Sequence, residues 1–419
     1  MDKFRIVGGR TLAGSVRVSG AKNVVLPILA CTPLLTGRAK ILNAPRLSDV
    51  STLMRILREV GVQCERDAEG VLWAGVEDDR ASVASYELVR TMRASFNLLG
   101  PLWARRGFAK VSLPGGCNIG HRPVDLHLKG FRALGGRIGI KDGYVTIEGE
   151  PRGARIYMGG AFGPTVGGTI NVLSAAVLAR GETILEGVAM EPEVQDLCRF
   201  LCACGARIEG IGSPRLTIQG VPELKGAEWS VIPDRIEAGT LLCAGLITRS
   251  EIVVEGLRRG HLGAFLDRLS AAGAPLEVEN GAIRTGPCDR LRAIDLTTNS
   301  YPGFPTDMQA QLMALLTLAD GISVLTERIY PERFIHVAEL CRMGARVRRE
   351  GSSAVVQGVE RLSGAQVMAS DLRASAALVL AGLVGEGITE VDRVYHLDRG
   401  YERLEEKLRR LGADLERIQ

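Results

Sequence analysis

Six segments of this 419-residue chain repeat one pattern, and this repetition limits the possible folds more than any single motif does. Each segment has an apolar helical stripe that ends in a glycine, after which a short apolar strand begins. The six glycines are Gly61, Gly135, Gly205, Gly273, Gly344 and Gly412. They are separated by 68 to 74 residues, and glycine in this place is typical of the left-handed turn that ends a helix. The chain is therefore predicted to contain six copies of one unit.

A second helix precedes each of these segments, and it is apolar almost all round. Examples are NVVLPILACTPLL, NVLSAAVLARG, TLLCAGLITRS and AALVLAGLVGEG. Helices of this kind belong inside a domain. A conventional parallel α/β barrel is the structural alternative, but it buries its strands and leaves each helix with only one apolar face.

The predicted fold class is therefore α/β, with two inside-out barrel domains built from six repeats of about 70 residues. Sheets wrap the buried helices of each domain. The first domain is predicted to span residues 22–232, and the second to combine residues 1–21 with 233–419. The active site is expected in the cleft between them.

Composition and charge exclude several classes of protein. The net charge is only +4, and no basic run is interleaved with aromatic residues, so nucleic acid is not expected as a partner. The N-terminus lacks the apolar stretch of a signal peptide, and the apolar runs are too short or proline-broken to cross a membrane. The sequence predicts a soluble cytoplasmic protein.

Nine cysteines occur at irregular positions, which does not indicate a disulfide framework. Cys198, Cys202 and Cys204 lie close together in DLCRFLCACGAR, but their spacing matches no zinc pattern and the segment is typical of an apolar helix. No metal and no cofactor is predicted. Cys31, Cys243 and Cys341 are interpreted as buried structural thiols of apolar helices.

Charged residues recur at one phase of the repeat, where the buried helix begins. Lys22, Arg93, Asp307 and Arg373 lie 37 to 42 residues before the glycines of their repeats. A single such residue is most simply a solvated cap, but the recurrence favours function because helix N-termini attract anions. An anionic substrate is expected, although no standard nucleotide-binding loop, serine elbow or metal-spaced histidine pair is present.

Several long motifs resemble one enzyme family from end to end and in order. They include SGAKNVVLPIL, VRTMRASFNLLGPL, SLPGGCNIGHRPVDLHLKGF, PDRIEAGT, FPTDMQAQ and DRVYHLDRGYERLEEKL. These segments resemble those of the UDP-N-acetylglucosamine enolpyruvyl transferases. The related shikimate-phosphate branch shares the two-domain fold of six repeats, but it is not expected to carry the GGCxIGxRPVDLH loop.

The resemblance implies transfer of the enolpyruvyl group of phosphoenolpyruvate to the 3-hydroxyl of UDP-N-acetylglucosamine, with release of phosphate. This is the first committed step of peptidoglycan synthesis. Two alternatives remain: an enolpyruvyl transferase that uses another uridine nucleotide, and a non-catalytic paralogue that binds a UDP-sugar. The partners expected are the two small substrates, and the sequence leaves protein partners and oligomeric state open.

The resemblance also implies roles for charged residues. Those implied to hold the phosphate and carboxylate of phosphoenolpyruvate are Lys22, Arg122 and Arg399, and those implied to support them are Arg93, Arg333 and Arg373. Several guanidinium groups suit a substrate with several negative charges. Asp307 is implied to accept the proton of the sugar 3-hydroxyl as a general base.

Other residues are implied to bind the nucleotide sugar or to orient these groups. Those of the uridine pocket are Pro123, Val124, Asp125 and Leu126. Asn23 and Ile329 are implied to contact the substrate, and Asp371 to orient Lys22.

Cys117 follows two glycines in SLPGGCNIGHRPVDLH, a context that excludes a helix interior. Nearby cations would stabilise its thiolate. The resemblance implies an adduct with phosphoenolpyruvate, a role in proton donation or product release, and alkylation by fosfomycin.

One segment departs from the family pattern. MGGAFGPTVGGTINV, around Gly159 to Thr169, is about three residues longer than its counterpart and lacks a lysine that some members have. The resemblance assigns this segment to the diphosphate site, where backbone N–H groups of a glycine-rich turn could still bind phosphate. The nucleotide acceptor is therefore less firmly predicted than the reaction.

Overall fold

The computed structural model describes residues 2–90, 92–113 and 124–419. These residues form two compact units. The inserted unit comprises described residues between 20 and 232, and the terminal unit comprises residues 2–19 together with 233–419.

The six predicted repeats are present, and all have the same topology. Each four-stranded sheet begins with a parallel pair and continues with two antiparallel pairs. One apolar helix, which we call the inner helix, precedes the second strand of the sheet. An amphipathic outer helix follows that strand and ends at the repeat's glycine.

The inserted unit contains three of these sheets, whose strands lie side by side in the following order. Repeat 1 contains Glu228–Ser230, Arg38–Leu42, Leu72–Val76 and Val62–Arg66. Repeat 2 contains Val83–Ala84, Phe108–Ser112, Tyr144–Glu148 and Arg137–Lys141. Repeat 3 contains Arg155–Tyr157, Glu182–Glu186, Arg215–Gln219 and Arg207–Glu209.

The sheets of the terminal unit follow the same order. Repeat 4 contains Ala13–Arg17, Glu251–Glu255, Ala282–Thr285 and Leu276–Glu279. Repeat 5 contains Leu296–Thr297, Ile322–Thr326, Ser353–Gln357 and Arg346–Glu350. Repeat 6 contains Gln366–Met368, Ile388–Asp392, Lys3–Val7 and Asp414–Ile418.

The helices occupy the positions that the apolar patterns predict. The inner helices of repeats 1 to 6 are Lys22–Cys31, Leu99–Arg106, Val166–Ala176, Arg235–Ile247, Gln309–Leu316 and Leu372–Gly382. The outer helices are Ser48–Glu59, Asp125–Ala133, Pro192–Ala203, Gly263–Ala271, His336–Arg342 and Leu404–Arg410. Most residues of the inner helices are buried, and each unit has its own hydrophobic core.

The glycine prediction is confirmed in detail. All six glycines have φ between 75° and 107°, a region that residues with a side chain rarely adopt. Each one reverses the chain between an outer helix and the following strand. The repeat can therefore be read from the sequence because its tightest turn needs glycine.

Shorter elements complete the fold. Two small sheets pair Gly159–Gly160 with Gly163–Pro164 and Leu35–Thr36 with Leu224–Lys225. The remaining short helices are Thr32–Leu34, Tyr86–Val89, Arg93–Leu98, Arg259–His261, Thr306–Met308 and Val394–Arg399. No helix in the described part of the chain is long and apolar enough to cross a lipid bilayer.

Candidate active site

Three of the predicted site residues come together in the terminal unit around the carboxylate of Asp307. This residue lies in the short helix Thr306–Met308, directly before an inner helix. Arg333 Nη1 donates to Asp307 Oδ1 at 2.7 Å, and Arg373 Nη2 donates to Asp307 Oδ2 at 2.9 Å. The side chain of Asp307 is 28% exposed, whereas those of Arg333 and Arg373 are 7% and 3% exposed. The cluster therefore has one accessible carboxylate and a net positive charge.

The two guanidinium groups control the charge of the carboxylate. Burial alone would raise the pKa of Asp307, but Arg373 and Arg333 hold this pKa well below its usual range. Burial alone would likewise lower the pKa of Arg373, but Asp307 raises it above its ordinary value. Asp307 is therefore ionised at neutral pH, and it can accept a hydrogen bond from a hydroxyl group.

Asp371 fixes the start of the helix that carries Arg373. Its Oδ1 accepts hydrogen bonds from the backbone N–H groups of Arg373, at 2.8 Å, and Ala374, at 3.1 Å. This is the bonding of a helix N-cap. In the described structure Asp371 thus positions Arg373 through the helix backbone, a role that the sequence did not predict.

Glu327 is a buried carboxylate that the sequence analysis missed. Its Oε1 accepts from Thr298 Oγ1 and from the N–H groups of Ile329 and Tyr330, at 2.6 to 3.0 Å. Its Oε2 accepts from Thr306 Oγ1 at 2.9 Å. Glu327 therefore holds both the backbone at Ile329 and the residue that precedes Asp307. Its signal in the sequence is weak, because it is a single acid after the strand Ile322–Thr326.

Lys22 is a predicted site residue of the inserted unit, and it forms an ion pair. It is the first residue of its inner helix, where the helix dipole disfavours a cation. Asp49, on the outer helix of the same repeat, offsets this cost: its Oδ2 lies 2.7 Å from Lys22 Nζ, and both side chains are nearly buried. Asp49 was also missed, because an acid in the first turn of an outer helix is equally typical of a simple cap.

Further predicted residues lie on the starts of helices in the inserted unit. Asn23 follows Lys22, and Arg93 opens the short helix Arg93–Leu98. Val124 precedes the outer helix of repeat 2, which begins at Asp125. Asp125 is exposed and Leu126 is half-buried.

His127, the next residue, is buried in a polar network that the sequence did not predict. Asn171 Nδ2 donates to the carbonyl of Phe96 at 2.8 Å and lies 3.1 Å from His127 Nδ1, while Asn171 Oδ1 accepts from Gly100 N at 2.8 Å. Since the amide nitrogen is the donor, His127 Nδ1 accepts and a neutral ring carries its proton on Nε2. Burial and the charge of Arg93 lower the pKa of His127 to about 3.

The segment that departs from the family pattern forms a tight hairpin. Gly159–Gly160 pairs with Gly163–Pro164, and Phe162 at the turn is 68% exposed. Thr165 then caps the inner helix of repeat 3, its side chain accepting from Gly168 N at 3.2 Å. A side chain at Gly160 would come within 3.0 Å of Leu126. The hairpin thus lies against a residue that the resemblance assigns to the uridine pocket.

The remaining predicted site residues include three outside the described residues. These are Cys117, Arg122 and Pro123. Arg399 is the last residue of the short helix Val394–Arg399 and is half-buried.

The cysteine predictions are partly wrong. Cys31 and Cys243 are buried in inner helices, as predicted, and burial raises the pKa of Cys31 to about 12. Cys341 is exposed, because its helix His336–Arg342 is an outer helix with only one apolar face. Among the described residues, no three His, Cys, Asp or Glu side chains form a group that could hold a metal ion.

Comparison with known proteins identifies the family. The family model described as EPSP synthase (3-phosphoshikimate 1-carboxyvinyltransferase) matches residues 6–408. The chain belongs to this family. A relative from Myxococcus xanthus (strain DK1622), UDP-N-acetylglucosamine 1-carboxyvinyltransferase, is 51% identical over 422 residues, covering 100% of this chain and 99% of the relative. The resemblance found in the sequence motifs is confirmed.

Two solved structures share the fold. The enolpyruvyl transferase NikO from Streptomyces tendae is 26% identical, with a TM-score of 0.89 and coverage of 100% of this chain and 99% of that chain. EPSP synthase from Acinetobacter baumannii is 19% identical, with a TM-score of 0.76 and full coverage of both chains. The predicted fold class is confirmed by these likenesses and by the six repeats.

Proposed function

We propose that this chain transfers the carboxyvinyl (enolpyruvyl) group of phosphoenolpyruvate to the 3-hydroxyl of UDP-N-acetylglucosamine and releases phosphate. The observation that carries the proposal is the 51% identity, over the whole chain, to an enzyme named for this acceptor. We further propose that the reaction is the first committed step of peptidoglycan synthesis and takes place in the cytoplasm.

The arrangement around Asp307 supports a role at the acceptor hydroxyl. A carboxylate whose two oxygens each bind a guanidinium is fixed in place, and each oxygen keeps a second lone pair for a substrate hydrogen bond. Its low pKa makes it a weak base, so it accepts the proton only as the hydroxyl attacks. Arg333 and Arg373 hold the carboxylate in place before the transfer, and they favour its return to the ionised form once the carboxylic acid releases the proton.

The cations are proposed to bind the charged donor. Lys22, Arg122 and Arg399 hold the phosphate and carboxylate of phosphoenolpyruvate, and Arg93 assists them. Asp49 orients Lys22 through its 2.7 Å ion pair. Both units supply residues to this set, and we propose that each unit is a domain.

The acceptor is proposed to be held by residues of both units. Asn23 and Ile329 contact the sugar nucleotide, and Glu327 fixes the backbone at Ile329. The pocket for the uridine is formed by Pro123, Val124, Asp125 and Leu126. The neighbouring hairpin at Gly159–Pro164 lies against Leu126 and gives this pocket an additional wall.

A second candidate function is favoured by that hairpin. The chain departs from the family pattern there, and it is similar in structure to NikO, whose name specifies an enolpyruvyl transferase but no acceptor. The alternative is transfer to another uridine nucleotide.

Phosphate release with different acceptors tests the proposal. The purified protein is incubated with phosphoenolpyruvate and either UDP-N-acetylglucosamine, UMP or 3-phosphoshikimate. We expect release only with UDP-N-acetylglucosamine. Release with UMP but not with the sugar nucleotide would establish the alternative, and binding of UDP-N-acetylglucosamine without turnover would indicate a non-catalytic paralogue.

Cys117 is proposed to donate a proton or to assist product release. Fosfomycin, an epoxide that carries a phosphonate, is expected to alkylate this thiol when UDP-N-acetylglucosamine is bound. The Cys117→Asp variant should keep substantial activity and escape alkylation, because a carboxylate is a poorer nucleophile. Mass spectrometry of the treated protein checks this, and an adduct on another cysteine would refute the role.

A further inference from the structure

A buried polar network lies among the inner helices of the terminal unit, centred on the hydroxyl of Tyr401. The side chain is only 2% exposed. Its hydroxyl oxygen lies 2.9 Å from Thr240 Oγ1, on the inner helix of repeat 4, and 3.1 Å from Gln311 Nε2, on the inner helix of repeat 5. Its ring lies beneath Arg373, on the inner helix of repeat 6, with the guanidinium carbon 5.3 Å from the ring centroid. One side chain thus contacts all three inner helices.

The direction of each hydrogen bond follows from the donors available. Thr240 Oγ1 donates to the carbonyl of Ile236 at 2.8 Å, so its single proton is already used. Tyr401 must therefore donate to Thr240. The lone pairs of Tyr401 remain for Gln311, which is a donor through Nε2.

Gln311 connects this network to the backbone of Asp307. Its Nε2 also donates to the carbonyl oxygen of Asp307 at 2.9 Å. The amide group therefore holds the turn that presents the carboxylate, and Tyr401 holds the amide group. Gln311 Nε2 also lies 3.2 Å from Thr240 Oγ1, so the amide group, Tyr401 and Thr240 form one hydrogen-bonded cluster.

The hydroxyl of Tyr401 also sets the surroundings of Arg373. Burial raises the pKa of Tyr401, although Arg373 opposes the shift, so the hydroxyl stays protonated. A neutral hydroxyl and an aromatic face attract a cation without neutralising it. Arg373 therefore keeps its full charge for Asp307.

We propose that Tyr401 is a positioning residue for the transferase reaction, which holds Arg373 and the backbone of Asp307 in the geometry that turnover requires. This inference rests on the proposed function. No role for Tyr401 follows from the motif DRGYERLEEKL in which it lies.

The Tyr401→Phe variant tests the proposal, because it removes only the hydroxyl and keeps the ring beneath Arg373. We expect kcat to fall roughly tenfold or more, since small displacements of catalytic groups have effects of this size. KM for both substrates should change by less than about threefold, because Arg373 and Asp307 act mainly in the transition state. Tyr395→Phe is the matched control, since Tyr395 lies in the same unit and is 45% exposed.

A purely structural role would produce a different result. Thr317→Val removes a buried hydroxyl from the end of an inner helix in the same unit, where it donates to the carbonyl of Ala314. This variant should lose thermal stability while keeping kcat. If Tyr401→Phe behaves in the same way, with reduced stability and unchanged kcat, the proposal is overturned.

A double-mutant cycle with Gln311→Met tests whether the two residues act together. If they form one network, kcat of the double variant should be close to that of the more impaired single variant. Independent effects, in which the two losses multiply, would contradict the network.

A crystal structure of Tyr401→Phe provides a test that does not depend on the acceptor. We expect the Gln311 bond to the Asp307 carbonyl, or the Arg373 bond to the Asp307 carboxylate, to lengthen beyond about 3.5 Å, the limit of a hydrogen bond. Unchanged geometry would overturn the proposal even if the wild-type protein were inactive with UDP-N-acetylglucosamine. Inactivity of the wild type would instead count against the proposed function.

Discussion

The two units share one repeat, but repeat 1 of the inserted unit and repeat 5 of the terminal unit place opposite charges at the same point of it. In the inserted unit the inner helix of repeat 1 begins with a cation, Lys22, which one carboxylate offsets. In the terminal unit the inner helix of repeat 5 follows an anion, Asp307, which two guanidinium groups hold. The repeat therefore supplies the position, and the residue type at the helix start supplies the chemistry.

The helix dipole acts differently on the charged residues at these two helix N-termini. A carboxylate at a helix N-terminus is stabilised by the helix dipole, whereas an ammonium group there is destabilised. Lys22 thus depends on Asp49, while Asp307 uses Arg333 and Arg373 to fix its geometry and to lower its pKa. Removal of the Asp307 carboxylate and removal of the Asp49 carboxylate should therefore have different consequences.

The largest effect is expected from Asp307→Ala. Loss of a general base lowers turnover by about 10² to 10⁴, and the two buried guanidinium groups also lose their anion. We expect kcat to fall within this range while UDP-N-acetylglucosamine still binds, as measured by calorimetry. Asp320→Ala, an exposed carboxylate of the same repeat, is the control and should leave kcat unchanged. A near-normal kcat for Asp307→Ala would contradict the proposed role of Asp307 as the general base.

A smaller effect is expected from Asp49→Asn. Lys22 would lose its ion-pair partner at an unfavourable helix start, so its position would be less well maintained. We expect kcat/KM for phosphoenolpyruvate to fall by about 10-fold to 100-fold, a loss typical of a misplaced binding group. Asp79→Asn provides a control at an exposed ion pair in the same unit. Equal losses for both variants would show that Asp49 has no special relation to Lys22.

Each unit also has a buried histidine that makes folding sensitive to acid. Burial, together with Arg93, lowers the pKa of His127 to about 3. Burial lowers that of His336 to about 4, with Asp371 opposing the shift and Arg333 adding to it. Unfolded histidine is protonated below a pH of about 6.5, so the unfolded state binds protons that the folded state excludes. The contribution of these neutral histidines to the free energy of unfolding is therefore fully present above this pH and falls as the pH decreases towards 4.

Replacement of either histidine should weaken this pH dependence. Below pH 6.5, one buried neutral histidine lowers the free energy of unfolding by up to about 1.4 kcal/mol for each pH unit of acidification. His127→Gln and His336→Gln should each abolish this contribution to the slope. Urea unfolding at several pH values measures the slope, with His261→Gln as the control at a partly exposed site. A slope that is the same in all three variants and the wild type would exclude the buried histidines as its cause.

The smallest effect is expected from thiol labelling, which compares an inner with an outer helix. Cys341 on the outer helix is exposed, whereas Cys31 on an inner helix is buried and its pKa is raised to about 12. Cys341 should react with an alkylating reagent much faster than Cys31, without loss of activity. Peptide mass spectrometry measures the order of labelling, and earlier labelling of Cys31 would contradict the burial of the inner helices.

The sequence predicts the repeats well because its local signals agree. The positive φ of the turns requires glycine, and the inner helices are apolar almost all round. Cys341 was misassigned because a short helix with cysteine and leucine is apolar enough to suggest burial, although only its packing shows which face is covered.

The residues that support the site were harder to predict. Asp49, Glu327 and Tyr401 act through partners that are distant in sequence or through backbone groups, and neither relation leaves a local pattern. The roles of Asp307, Arg333 and Arg373 were suggested by a family resemblance. Their contact with one another is a feature of the fold, because Asp307 and Arg333 belong to repeat 5 whereas Arg373 lies on the inner helix of repeat 6.

The identity of the product tests the central claim most directly. The protein is incubated with phosphoenolpyruvate and UDP-N-acetylglucosamine, and the product is analysed by NMR, with the 3-deoxy analogue of the sugar nucleotide as the matched acceptor. We predict a carboxyvinyl ether at the sugar 3-oxygen, one phosphate released for each ether formed, and no reaction with the 3-deoxy analogue. A carboxyvinyl group at another position, or equal phosphate release with the 3-deoxy analogue, would contradict the account.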